Sequence, residues 1–196
     1  MPVNLRSSDQ IAHQHLQLRN VGFERDPRLN YACTSDVKYW YLSNGLQLND
    51  DKSEVMIAGT AHQLRSASSI PSIPVADVLL PTSSELKTLG VIIDNHLTFD
   101  RHVSAVVRAC NYHLQAISHI RQLISQDVAQ TLVCSLITSK LDFCNALLHG
   151  AARGTISKLQ RVQNNAARVV THAGRRTESA PLLRSLHWLP VTQRLV

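Results

Sequence analysis

The chain has 196 residues, 44% of them hydrophobic and 5% aromatic, which allows one aliphatic core of domain size and excludes a wholly disordered chain or an aromatic-rich sandwich. Residues 1–99 carry 8 Lys and Arg against 10 Asp and Glu, whereas residues 100–196 carry 12 against 4, so a weakly acidic half precedes a basic one that favours a polyanionic partner. No stretch approaches the roughly 18 apolar residues of a membrane span, no signal-peptide core opens the chain, and the four dispersed cysteines read as reduced thiols, so a soluble intracellular protein of nucleus or cytoplasm is expected.

Residues 1–32 mix Gln, His, Arg and Pro without a period and read as a poorly ordered leader. A short helix follows from Thr34 or Ser35 through Val37, Trp40 and Tyr41 to Asn44-Gly45, where glycine permits a left-handed stop. The alternation in LQLNDDKSEVMIAG predicts two short strands around a polar turn, and the Ser- and Pro-rich residues 61–74 predict a surface loop. The runs VADVLL and LKTLGVIID flank residues 81–84, PTSS, as the arms of a β-hairpin would.

After Asp94 the period changes from two to three and four. Val103, Val106, Val107, Cys110, Leu114, Ile117 and Ile120 predict a long amphipathic helix from near Asp100. A second helix is expected after Ser125 with Val128, Leu132, Val133 and Leu136 on one face, and a third through Leu141, Cys144, Leu147 and Leu148 to Gly150. The fourth, over residues 155–170, sets Ile156, Leu159, Val162, Ala166, Val169 and Val170 on an apolar stripe. Lys158, Arg161, Asn165 and Arg168 project from a neighbouring face. Residues 171–178 form a polar break, and residues 182–196 a short helix interrupted at Leu189-Pro190. The fold class is therefore α+β, an N-terminal helix with short strands and a β-hairpin followed by a mainly helical bundle.

In order along the chain, WYLSNGLQLNDDKSEVM, LKTLGVIIDNHLTFDRHV, SKLDFCNALLHG, LQRVQNNAARVV and LHWLPV resemble the blocks of non-LTR (LINE-type) retrotransposon reverse transcriptases downstream of the catalytic turn. The resemblance runs from near Cys33 to the last residue. It implies that residues 33–98 are the edge of a palm, residues 99–171 a thumb-like helical region and residues 172–196 the start of a connection region. Lys52 stands where motif D of the family places a lysine that is proposed to protonate the leaving pyrophosphate; on its residues alone, it reads as a solvated turn lysine. Leu89, Gly90 and Val91 stand in the block that resembles the primer grip, and Gly90 reads equally as an ordinary strand glycine.

The intact family enzyme uses carboxylates that hold Mg2+ ions, on a turn with an aromatic residue two places before paired aspartates. Asp50-Asp51 imitates that pair, but Leu48 takes the aromatic place and the pair lies within the motif D block. No catalytic residue, metal site or cofactor is assigned to this chain, and it is expected to be inactive alone. Cys110 with His113, and Cys144 with His149, have zinc-like spacing but read as core thiols on apolar helix faces. The expected partner is an RNA/DNA template–primer, met by Arg101, Arg108, Lys158, Arg161 and Arg168, with another chain supplying the rest of a palm and no membrane. The alternatives are a helical module that binds an acidic protein, and a degenerate retroelement remnant without a role.

Overall fold

The computed structural model describes residues 27–47, 49–75 and 78–195, and the chain divides into two compact units at Thr88/Leu89. The leader expected over residues 1–32 lies mostly outside the described residues.

In the first unit, helix α1 spans Pro27–Ser43 and so begins well before the expected cap at Thr34, which is instead buried within the helix. Proline suits a first turn because the N–H groups there have no intrahelical acceptor. The helix ends as its sequence predicts. Gly45 has φ of +70°, the Gly45 N–H donates to the Leu42 carbonyl at 3.1 Å and the Leu46 N–H to the Tyr41 carbonyl at 2.9 Å, the paired bonds of a glycine-closed helix end.

The two strands expected in LQLNDDKSEVMIAG reduce to one. A 3-10 turn takes Asp50–Lys52 and a strand, β1, only Val55–Met56, while the described residues just before the turn form no strand. The expected loop at 61–74 is a helix and a strand. Helix α2, Ala61–Ala67, starts in a capping box: Thr60 Oγ1 accepts from the Gln63 N–H at 3.4 Å and the Thr60 N–H donates to Gln63 Oε1 at 2.9 Å.

Strand β2, Ser72–Val75, pairs antiparallel with β3, Val78–Ser83, in the register Ile73 to Leu80, and β1 joins the other side of β3 in parallel. Residues 81–83 thus lie in a strand and not in the turn expected at 81–84. The Thr82 N–H donates to the Pro71 carbonyl at 3.0 Å, so Pro81 occupies a position whose missing N–H would point away from β2, which removes the objection to proline there. The real tight turn lies inside LKTLGVIID. Strand β4, Glu85–Thr88, ends the first unit and β5, Val91–Asp94, opens the second; between them Leu89 and Gly90 have φ of +46° and +83°, the signs a type I′ turn requires.

The second unit is a helical bundle. Helix α3, Asp100–Ile120, starts where expected. Helix α4, Gln126–Val133, is capped by Ser125, whose hydroxyl accepts from the Val128 N–H at 3.3 Å; it runs through a π-helical segment, Cys134–Thr138, into the short α5, Ser139–Asp142. Of the expected face Val128, Leu132, Val133 and Leu136, Val133 is buried and Leu132 packs half-buried on the core, while the inward row runs through Ala129, Val133, Ile137 and Leu141. Val128 and Leu136 are exposed, because the closest approach falls at the smaller Ala129, one turn before Val133.

The expected third helix breaks at Cys144, which is left-handed with φ of +54°, and continues as a 3-10 turn, Asn145–Leu148. Helix α6, Arg153–Val170, buries Leu159, Val162, Ala166, Ala167 and Val170 against Val103, Cys110, Leu114 and Ile117 of α3. The two helices run parallel. Thr155 in the first turn of α6 donates its hydroxyl hydrogen to Asp100 at the start of α3, and Arg121 just past the end of α3 donates to the Val169 and Val170 carbonyls at the end of α6, at 2.9 and 2.8 Å. Two short helices, α7 (Ser179–Ser185) and α8 (Val191–Arg194), close the bundle with Leu183, Leu186 and Val191. Trp188 packs on the same core.

Candidate nucleic-acid interface

Residues 89–196 contain 12 Lys and Arg and 5 Asp and Glu, a net +7 on the helical unit. On α3, Arg101 and Arg108 are two turns apart and both exposed, on the side of the helix opposite Val103, Cys110 and Ile117. On α6, the row Lys158, Arg161, Asn165 and Arg168 lies away from the buried stripe, as its spacing predicts.

The four positions of that row are not equivalent. Arg161 and Asn165 are exposed. Lys158 Nζ lies 3.6 Å from Asp100 Oδ1, the same oxygen that accepts the Thr155 hydroxyl. Arg168 is committed to structure as well: its Nε donates to the Thr177 carbonyl at 2.9 Å and its Nη1 to Asn165 Oδ1 at 3.1 Å. That bond draws the turn carrying exposed Arg175 and Arg176 to the end of the basic row, an extension visible in the sequence only as a short charge run.

The polar positions Gln160 and Gln163 were not singled out in the sequence, and both do structural work. Gln163 is buried and donates to the Leu189 carbonyl at 2.8 Å, while Gln160 Oε1 accepts from the Val191 N–H at 2.8 Å, so the pair straps LHWLPV onto α6. Arg121 is likewise spent on helix-end carbonyls, where a cation also meets the negative end of the helix dipole.

Upstream of α3, Asp94 accepts from the backbone N–H groups of His96, Thr98 and Phe99 and from the Thr98 hydroxyl. Burial works to raise its pKa, but the hydrogen bonds together outweigh it and leave the carboxyl below its ordinary value. His102 is buried, its Nδ1 accepts from the Ile92 N–H at 3.4 Å, and burial lowers its pKa. A cleft of about 320 Å³ opens at this end of the bundle, lined by Thr98, Phe99 and Asp100 on one side and by His149, Gly150 and Thr155 on the other.

The resemblance-derived residues fall in different places. Lys52 is exposed at the end of the 3-10 turn in the first unit. Leu89 is 84% exposed at the hairpin tip, Val91 is buried, and Gly90 is a turn glycine and not a strand glycine. Of the cysteines weighed as core thiols, Cys110 is buried and pushed up to about 11 by burial, whereas Cys144 is exposed, because the helix on which it was to face inward stops before it. Among the described residues, no three His, Cys, Asp or Glu side chains stand together as a metal site requires, and no helix is long and apolar enough to cross a membrane.

Over 129 residues the chain is 26% identical to the probable RNA-directed DNA polymerase from transposon BS of Drosophila melanogaster. The chain is similar to part of a transposon polymerase. The match takes in 63% of this chain and 14% of that protein. No family model and no solved structure matches the chain.

Proposed function

We propose that the chain is a palm-edge and thumb fragment of a LINE-type retrotransposon reverse transcriptase, holding an RNA/DNA template–primer through its helical unit without carrying out polymerisation alone. Similarity to a transposon polymerase supports the lineage. The observation that carries the binding role is that Arg101 and Arg108 of α3 and Arg161 of α6 stand away from the stripes that build the core, so the same two helices can pack and meet phosphates at once. Residues 99–171 take the thumb role in this reading, Leu89, Gly90 and Val91 that of the primer grip, and Lys52 that of the motif D lysine. These 196 residues contain no aromatic residue two places before paired aspartates, so Mg2+-dependent chemistry is assigned to an intact enzyme and not to this chain.

The test is fluorescence anisotropy with a short RNA/DNA hybrid across a salt series. The expected log–log plot of affinity against salt is linear and steep, with a slope of roughly 0.7–0.9 per phosphate engaged. Replacing both Arg108 and Arg161 by Gln should weaken binding about tenfold at low salt and flatten the slope by about two. Absence of salt-sensitive binding to the hybrid, or equal slopes for native chain and variant, overturns the reading. Salt-insensitive binding to an acidic protein favours the interaction module instead.

A further inference from the structure

Helices α3 and α6 together contain a single carboxylate, Asp100, and it sits on the basic row rather than apart from it. One of its oxygens receives the hydroxyl hydrogen of Thr155, which is 4% exposed, and lies 3.6 Å from Lys158 Nζ. A hydroxyl and an ammonium converging on one oxyanion form the donor set that also holds a phosphate oxygen. Both charged side chains remain about half exposed, 44% for Lys158 and 54% for Asp100, and Asp100 and Thr155 line the cleft of about 320 Å³. There is thus a built oxyanion site, with room beside it, whose present anion belongs to the chain.

We propose that Thr155 and Lys158 form a binding site for a backbone phosphate that Asp100 occupies as an internal counter-anion, so that Asp100 holds down the affinity of this surface for nucleic acid. The inference rests on the template–primer reading and names one of its contacts and its restraint. Carboxylate and phosphate compete for the same two donors. With Asp100 charged, Lys158 spends its charge within the protein and releases no counterion from the nucleic acid; with the carboxylate neutralised, Lys158 and the Thr155 hydroxyl are open to a phosphate.

Four proteins decide it by anisotropy with the same RNA/DNA hybrid: the native chain, Lys158→Gln, Asp100→Asn and the double variant. Asparagine keeps the size and removes the charge, leaving Thr155 only a neutral amide oxygen that a phosphate can displace. Asp100→Asn should bind at least threefold more tightly at low salt, with a slope steeper by roughly 0.7–0.9. Lys158→Gln should change affinity less than twofold in the native background and cancel the whole gain in the Asp100→Asn background. Asp127→Asn, which removes one charge from α4, controls for net charge and should give a smaller gain that Lys158→Gln does not cancel. Additive effects of the two substitutions would make Asp100 a mere tether between helix ends and overturn the proposal. If Asp100→Asn does not fold, the native background still decides: Lys158→Gln costing as much as Arg161→Gln sinks the idea, and a silent Lys158→Gln beside a costly Arg161→Gln supports it. Failure of the native chain and of Asp100→Asn alike to bind the hybrid would instead remove the template–primer reading on which this one stands.

Discussion

The two units of the chain are held together by different means. In the second, three helices contribute interlocking aliphatic side chains, and Val103, Cys110, Val133, Ile137, Ala167 and Val170 have no accessible surface. In the first, the described residues include only three buried side chains, Thr34, Ala67 and Leu80, and order comes from local devices: a glycine-closed helix, a capping box and a three-stranded ladder whose shortest member has two residues. Contacts of the first kind fail together, and those of the second fail one by one. The difference also fits the charge, since the unit with the core can carry a net +7 on its outer faces without losing its fold.

The most forceful way to break that comparison is Ile137→Asp. Ile137 is among the largest fully buried side chains of the described residues, and a carboxylate there has no partner and nowhere to go, so the cost is about 4 kcal/mol or more. Hydrogen exchange should show protection lost across α3, α4 and α6 together, while amides of β2 and β3 exchange as before. Loss confined to α4 would mean that the bundle is not one cooperative body. Loss in both units would mean that they fold as one.

Where the pattern of the sequence and the packing agree, the elements were legible. The stripe of α6 and the start of α3 follow from spacing, because each helix meets a core on one side and water on the other. Errors arose where spacing alone could not choose. The expected Val133 is buried and Leu132 packs beside it, but Val128 and Leu136 extend that face as plausibly as Ala129 and Ile137 do, and only contact with neighbouring helices decides which pair turns inward. The loop predicted over 61–74 ignored Thr60 and Gln63, a capping signal readable from residue types, and the hairpin was misplaced because PTSS looks more like a turn than Leu89-Gly90 does. In the candidate interface, residue types revealed the cations but not their commitments. That Asp100 engages Lys158, and that Arg168 and Arg121 are spent on carbonyls, depends on partners 9 to 58 positions away in sequence.

A milder perturbation sharpens the contrast through His102. The buried imidazole accepts the Ile92 N–H and resists protonation, so its folded pKa lies below the ordinary value of about 6.5. As pH falls below about 6.5, the unfolded chain takes up a proton that the folded chain refuses. Stability therefore falls with pH down to the folded pKa, and this contribution is constant below it. Melting temperatures of the native chain and His102→Gln between pH 7.5 and 5 should converge as the pH drops, because the variant lacks this titration. Parallel curves would show that His102 does not couple the start of α3 to β5.

The smallest expected effect, at the hairpin tip, separates stability from function. Leu89 holds a left-handed conformation that costs an ordinary L-residue roughly 1–2 kcal/mol, and at 84% exposure it recovers little of this by packing. Asparagine is the residue most at home before glycine in a type I′ turn, so Leu89→Asn should stabilise the chain by about 0.5 kcal/mol, a rise of roughly 1–2 °C in Tm. Strain of this kind persists where the side chain is used for something else. If Leu89 grips a primer end, the variant should melt later and yet bind the RNA/DNA hybrid less tightly. A variant that melts later and binds as before leaves the turn without a part in binding, and one that melts earlier would mean that the exposed leucine makes a contact worth more than the conformation it strains.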